Sequence, residues 1–333
     1  IGYGTHVVHN NTATFYSRNN AFSMMGFDTF TSKECMNISQ YTPNGNWPTD
    51  DVLVQETVKA MNATENQSDF VYTITVEGHG DYPTEKLLEN PDILVSGAAD
   101  EASNNQWEYY VNMIHEVDDF IGDLITAVDR RGEDTIIVFF GDHLPTMGLT
   151  DADMKSGDIF KTKYITWNNM GLAKKDADLT AYQLLAHITD QAGIHEGTMF
   201  RYHQSEMDAG VSTDDASYIT NWELLQYDLL YGSRYSYHGV DKYPASDLVM
   251  GVQDVVIDHT SMNADKTKLT IFGKNFTPWS KVYINGEKVS TEYISGNCLE
   301  ISMADLQDGS QIVVNQVGSS NTIFRSSNTV TFN

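Results

Sequence analysis

Three short stretches place side chains able to bind a metal or a phosphate at the ends of strand-like segments. The first is Gly141-Asp142-His143, directly after the apolar run at 135–140 (Thr-Ile-Ile-Val-Phe-Phe). A carboxylate beside an imidazole suits a divalent cation such as Mn²⁺, Mg²⁺ or Zn²⁺, and ligands of α/β sheets collect at the carboxyl ends of strands. A plain turn with an Asp cap uses the same residue types, so the pair by itself leaves both readings open. The second is His79 in Glu77-Gly78-His79-Gly80, after the β-branched and aromatic run at 70–76. Flanking glycines allow close backbone approach to a ligand. An imidazole there can hydrogen-bond a phosphoryl oxygen or protonate a leaving group, and an ordinary loop histidine fits equally. The third runs from His9 to Arg18 and gathers an imidazole, the amides Asn10 and Asn11, the phenol of Tyr16 and a guanidinium. Arg18 can fork onto a phosphate, while Tyr16 can wall the pocket or donate its hydroxyl. A polar surface loop is the competing account.

Elements that would position these residues alternate between strand and helix over the first two-thirds. The runs at 70–76 and 135–140 read as strands buried on both faces, in the middle of an α/β sheet. Between them Trp107, Tyr110, Ile114, Val117, Ile121, Leu124 and Val128 recur at helical steps. Ser103 with Gln106 offers a capping box, and Gly132 after Arg130-Arg131 offers a stop. A second helix is expected over about 179–192, with Leu184, Leu185, Ile188 and Ala192 on one face, and its His187 reads as packing. From Val252 onward the texture changes to short strands at 268–272, 281–284, 299–303 and 311–315. Asn285-Gly286 has the form of a type I′ hairpin turn. A β-sandwich of some 80 residues is expected there, joined by a linker over 232–248. The fold class is therefore α/β, a central sheet flanked by helices, plus a C-terminal all-β sandwich.

Composition narrows the partners. With 41% hydrophobic and 20% charged residues the chain is globular rather than disordered. Its net charge of −26 would repel nucleic acid and anionic lipid head groups, so an anionic substrate must be held by a local cluster of cations. No run of some twenty apolar residues is present to span a bilayer. The start, Ile1-Gly2-Tyr3, has no initiator Met and no signal pattern, and reads as a cut inside a larger protein. Cys35 and Cys298 fall in different predicted domains, so no disulfide is expected between them. Asp151-x-Asp153 lacks EF-hand spacing and reads as a solvated loop.

His9 through Arg18, followed by Gly26-Phe27-Asp28, resembles the His-x5-Phe-Trp/Tyr-x-Arg and Gly-Phe/Ile-Asp segments of lipoteichoic-acid-synthase-like phosphoglycerol transferases, in the alkaline phosphatase/sulfatase superfamily. His79 after a strand and Gly-Asp-His-Leu-Pro at 141–145 occur in the same order, and the similarity extends to about residue 231. The resemblance implies an alkaline-phosphatase/sulfatase-like catalytic domain over 1–235. It makes Asp142 and His143 ligands of one Mn²⁺ or Mg²⁺ ion, His79 and Arg18 catalytic, and His9, Asn11, Tyr16, Arg18 and His79 the lining of a phosphoglycerol pocket. Arg18, His9 and His79 would neutralise the equatorial phosphate oxygens. Asn11 stands where the family often has Asp, and Tyr16 where staphylococcal-type enzymes carry Trp, so glycerol recognition is expected to differ. The family's Thr nucleophile and first metal-binding acid precede the His9 segment and lie outside these 333 residues. Residues 250–333 resemble an IPT/TIG-type immunoglobulin-like domain, through Leu269–Phe276, Val282–Gly286 and Ser327-Asn328.

The implied activity is metal-dependent transfer of phosphoglycerol from phosphatidylglycerol to a polyglycerolphosphate or glycolipid acceptor. It would take place on the extracellular face of a bacterial plasma membrane, with the full-length protein held by N-terminal transmembrane segments. The alternatives are phosphodiester or sulfate-ester hydrolysis on the same scaffold, or a non-catalytic surface-binding protein whose working part is the sandwich.

Overall fold

Parallel strands cannot be joined by tight turns, so each pair here is separated by a helical crossover. The chain, described from a computed structural model over residues 2–240 and 244–333, runs β1 (Gly4–His9), α1 (Arg18–Met24), β2 (Thr29–Ser32), α2 (Val52–Met61), β3 (Asp69–Ile74), α3 (Glu101–Asp129), β4 (Ile136–Phe140) and β5 (Tyr164–Asn168). Helices α4 (Ala181–Gln191), α5 (Thr198–Asp208) and α6 (Ala216–Leu230) follow, then β6 (Val249–Met250). Of the linker expected over 232–248, positions 241–243 lie outside the described residues, as does Ile1.

The main sheet has the order β3-β1-β2-β6, with every pair parallel. Its central strand β1 carries Val7 and Val8 at 0% exposure, as a strand covered on both faces requires. The registers finish flush, since His9 pairs with Ser32 on one side and Ile74 on the other. Three carboxyl ends therefore open at one edge.

Two expectations need correction. The runs at 70–76 and 135–140 do form strands, β3 and β4, but neither sits mid-sheet buried on both faces: among the described residues β3 is the edge strand of its sheet, with Phe70 36% exposed. Among the described residues β4 pairs with β5 alone, and Phe140 is 49% exposed. Ile137 and Phe139 pack against Phe120, Leu124 and Val128 of α3, which covers one face only. A continuous apolar run specifies a strand; it does not specify which strands flank it. The buried face of α3 is also rotated from the predicted one. Tyr109, Met113, Phe120, Leu124 and Val128 are buried, whereas Ile114 is 41% exposed. Buried polar side chains cause the shift: Asn112 accepts from Ile93 N (3.0 Å) and Glu108 from Val95 N (3.3 Å), binding the 93–95 loop over the helix. The helix starts one turn before the predicted box, with Asp100 accepting from Ser103 N at 2.7 Å. Gly132 follows the helix at φ +69°.

The C-terminal strands form two antiparallel sheets. They are β7 (Val256–Met262), β8 (Lys268–Lys274), β9 (Ser280–Ile284), β10 (Glu287–Lys288), β11 (Thr291–Ser295), β12 (Cys298–Ser302), β13 (Gln311–Val317), β14 (Ile323–Ser326) and β15 (Val330–Thr331). One sheet is β10-β9-β13-β14 with β15 on β13; the other is β11-β12-β8-β7. Leu269, Ile271, Leu299 and Ile301 from one face meet Val282, Ile284, Ile312 and Val314 from the other, the packing of a sandwich. Asn285 and Gly286 both have positive φ, 52° and 90°, as the hairpin turn demands. Polar contacts tie the sandwich to the parallel sheet. Thr277 Oγ1 donates to Glu34 O (2.8 Å), Asn37 Nδ2 to Phe276 O (3.0 Å) and Arg325 Nη1 to Gly251 O (2.7 Å). Cys35 and Cys298 are free thiols.

By contact the chain divides into two compact units, 134–136 with 168–244, and 2–133 with 137–167 and 245–333. The smaller is helical and built around fully buried Tyr218, whose hydroxyl lies 2.6 Å from His203 Nδ1. His187, on α4, is buried and bonded to Gln191. The larger holds every candidate site residue.

Gly273 in β8 is a position where only glycine fits, because a Cβ would lie 2.0 Å from Val256 O and 2.4 Å from Phe276 Cζ. Gly273→Ala is expected to lower stability by about 3 kcal/mol, the upper part of the overpacking range, read as a fall in the urea midpoint. An unchanged midpoint would mean the two strands are not this close.

Candidate active site

The site is assembled where β1 and β3 end and where the turn after β4 meets them. His9 is the last residue of β1 and 1% exposed. Its Nδ1 lies 2.8 Å from Ile74 O. A carbonyl only accepts, so Nδ1 carries the proton and Nε2 is left as an acceptor. That Nε2 is buried and has no hydrogen-bond partner in the protein. Burial above all, then the nearby Arg18 charge, lowers the His9 pKa to about 4 against the raising effect of the Ile74 bond. At neutral pH the ring is uncharged. An uncharged His9 ring offers hydrogen bonding rather than charge.

Beyond His9 the chain makes a tight, irregular excursion. Asn11 turns back on itself, its Oδ1 accepting from Thr12 N at 2.7 Å. Ala13 N is received by both carboxylate oxygens of fully buried Glu34, at 3.2 and 3.1 Å. Tyr16 and Ser17 then adopt positive φ, 54° and 56°, a conformation that costs on the order of 1–2 kcal/mol for each non-glycine residue. The strain throws the Tyr16 ring outward, 82% exposed, and brings Arg18 to the start of α1. The Arg18 guanidinium lies 5.1 Å from the Phe15 ring centroid and 5.8 Å from that of Tyr16, within cation–π range. Its Nη1 donates to Thr12 O at 3.3 Å, which leaves donors for an anion.

On the β3 side, His79 is exposed and its ring meets Trp47 edge-on at 4.9 Å. Trp47 is fixed by donating Nε1 to Gly80 O at 2.8 Å. The glycines around His79 serve packing: a Cβ on Gly78 would meet Ile114 Cδ1 at 3.0 Å, and one on Gly80 would meet Thr146 Oγ1 at 3.2 Å. The 78–80 turn thus lies close to the segment that follows Asp142-His143. The His79 and His143 rings are 6.2 Å apart.

Asp142 and His143 turn toward each other, with Oδ1 and Nε2 3.8 Å apart. Two ligands each about 2.1 Å from one cation have a comparable separation. The His143 Nδ1 bonds Leu144 O at 2.8 Å, which fixes the tautomer that offers Nε2, the usual outer-shell arrangement of a metal-ligating histidine. The donor set fits a divalent cation. It supplies two ligands, and no group of three or more His, Cys, Asp or Glu side chains gathers in this way among the described residues.

Tyr72 joins the two sides and was not singled out in the sequence. Burial raises its pKa, the Asp142 charge raises it further, and Arg18 opposes them, so one phenol lies within electrostatic reach of both Arg18 and Asp142. Beyond burial, the His9 pKa responds to Arg18 and His79 in turn, and the His79 ring stands 6.2 Å from that of His143. Asn11 and Tyr16 lie between His9 and Arg18 in the chain. Asp50, just before α2, and Glu77, two residues before His79, carry no local sequence pattern that points to the site. Both are buried, at 0% and 3% exposure.

The Sulfatase family model matches residues 1–194, more than half of the chain. The chain belongs to the sulfatase family. Members of the sulfatase superfamily are metal-dependent. Among solved structures, this sulfatase-family chain is similar to the Streptococcus pyogenes phosphoglycerol transferase GacH in complex with sn-glycerol-1-phosphate. The TM-score is 0.55 at 17% identity, over 68% of this chain and 61% of GacH, and it bears on the fold. The Listeria monocytogenes lipoteichoic acid synthase LtaP matches over 50% of this chain and 43% of its own, with 22% identity and a TM-score of 0.38, too low to argue from. A putative cyclic beta-1,2-glucan modification protein of Rhizobium meliloti is 25% identical over 271 residues, 71% of this chain and 42% of that protein. The chain thus spans less than two-thirds of these relatives. No helix among its described residues is long and apolar enough to cross a membrane.

The buried carboxyls give the site a pH signature. Burial raises Asp50 from 3.8 to about 6 and Glu77 from 4.5 to about 7. Through this window the folded state holds more protons than the unfolded one, so these groups lose stability as pH rises. His9, lowered from 6.5 to about 4, acts in the opposite sense over its own range. The test is therefore comparative. Between pH 5 and pH 8 the melting temperature of Glu77→Gln should climb relative to wild type, because the variant has no proton to lose. A constant difference would show that Glu77 titrates as an ordinary surface acid.

Proposed function

We propose that this chain is part of a phosphoglycerol transferase that takes phosphoglycerol from a lipid such as phosphatidylglycerol and passes it to a glycan or polyglycerolphosphate acceptor at the bacterial cell surface. The observation that carries the reading is the pairing of Arg18 with His9. Arg18 offers a guanidinium for a phosphate, and beside it His9 offers a neutral, buried, unpartnered acceptor nitrogen. A phosphate with a hydroxyl-bearing substituent satisfies both; sulfate or inorganic phosphate satisfies one. The shared fold with GacH, described with sn-glycerol-1-phosphate, supports it. The relative's description as a glucan modification protein favours a glycan acceptor.

In this reading Arg18 holds a phosphate oxygen through charge-assisted bonds, His9 reads a glycerol hydroxyl, and the outward Tyr16 ring covers the head group. Asn11, an amide where a carboxylate is common in the family, adds no charge beside the phosphate. Asp142 and His143 would hold a divalent cation, Mn²⁺ or Mg²⁺, which when bound supplies Lewis acidity at phosphorus. Transfer breaks the phosphorus–oxygen bond to the lipid alcohol and forms one to a Thr outside these 333 residues, whose proton passes to solvent; an acceptor hydroxyl then forms the new phosphorus–oxygen bond as the one to Thr breaks, its proton restoring the Thr hydroxyl. The departing lipid alkoxide needs a proton, and in this reading His79, exposed and 6.2 Å from the His143 ring, gives it. The domain assignment, 1–235 catalytic and 250–333 an accessory sandwich, belongs to the same proposal, as does residence of the longer protein at the outer face of the membrane.

Titration calorimetry with a glycerophosphodiester, whose single charge is constant from pH 4 to 8, tests the pocket. Arg18→Ala should weaken binding at least tenfold, and wild-type affinity should fall as pH drops through about 4, where His9 takes a proton. Equal affinity for inorganic sulfate, or hydrolysis of an aryl sulfate by the longer protein in place of transfer, would overturn the assignment.

A further inference from the structure

The pairing of β1 with β3 stops at His9 and Ile74. Just beyond, the two chains must part to leave room for a ligand, yet their side chains must keep a fixed separation. Asp50 lies in that fork. Its Oδ1 accepts from Asn10 Nδ2 (2.8 Å) on the β1 side and from Val76 N (2.9 Å) on the β3 side. Its Oδ2 accepts from Glu77 N at 3.2 Å. In return Asp50 N donates to Glu77 Oε2 at 2.8 Å, and Asn10 Nδ2 also reaches Thr49 O at 3.1 Å. Asn10 and Asp50 are both at 0% exposure. Asn10 follows His9 directly, and Glu77 stands two residues before His79.

We propose that Asp50 is a positioning residue: its carboxylate takes over where the backbone ladder ends and sets the spacing between the His9 and His79 segments. The role in binding rests on the function proposed above; the role in geometry does not. Helix capping, the obvious alternative for an acid just before α2, does not account for the side chain. All three of its bonds run to Asn10, Val76 and Glu77, none to the helix. A buried carboxylate is costly to desolvate, and an apolar side chain would fill the space at lower cost. What an apolar residue cannot supply is three directed acceptor contacts to two diverging segments. Raised pKa values at Asp50 and Glu77 mark the cost of keeping both acids there.

The test compares imidazole NMR signals of His9 and His79 in wild type, Asp50→Asn, Asn10→Ala and, as a control for general destabilisation, Gly273→Ala. Asp50→Asn keeps the shape but turns one acceptor into a donor; Asn10→Ala removes the clamp from its other end and decides the matter should Asp50→Asn not fold. Both clamp variants should move the His9 and His79 signals together and raise the His9 titration midpoint, while Gly273→Ala leaves them in place. Binding of sn-glycerol-1-phosphate should weaken about tenfold in the clamp variants. Unmoved histidine signals in a folded clamp variant would overturn the proposal. Failure of the wild-type chain to bind glycerol phosphate, with the signals still shifting, would overturn the pocket assignment and uphold the clamp.

Discussion

The structure depends on a conflict at the edge where parallel strands end. Backbone pairing fixes β1 against β2 and β3 up to His9 and stops there. Past that point the chain has buried N–H groups with no ladder to receive them, and an unpaired buried donor costs on the order of 1–3 kcal/mol. Carboxylates resolve the conflict. Glu34 receives Ala13 N, and Asp50 receives Val76 N and Glu77 N. These acids act as scaffold for the segments that carry His9, His79 and Arg18.

This division accounts for how a chain of net charge −26 could offer the anion site proposed for it. The nearest buried acids, Glu34, Asp50 and Glu77, are turned into the protein and committed to backbone donors. Arg18 is held by Thr12 O and two aromatic rings, with part of its fork unspent.

The sandwich has a part in the same scaffold. Thr277 donates to the carbonyl of Glu34, the residue whose carboxylate shapes the His9–Arg18 excursion, and Ser32 Oγ bonds that carboxylate at 2.6 Å. A path of hydrogen bonds therefore leads from the C-terminal sheets to the loop bearing Arg18. The sandwich is joined to the site's support, whatever else it binds.

Residue types and local spacing determined much of this protein: which segments are strands, that helices alternate with them, where the hairpin at Asn285-Gly286 turns, and which of His9, Arg18, His79, Asp142 and His143 deserved attention. Those features are written in periodicity and in the allowed backbone angles of single residues, which act over a few positions. Tertiary structure decided the rest. It placed β4 beside β5 rather than mid-sheet, rotated the buried face of α3 toward Glu108 and Asn112, and lowered the pKa of His9 by burying it. It also gave Asp50 a task no local pattern shows. The physical reason is common to all four. Burial and hydrogen-bond partnership are properties of segments brought together from dozens of residues apart, and an acid at a helix start has the same sequence whether it caps that helix or holds two strand ends.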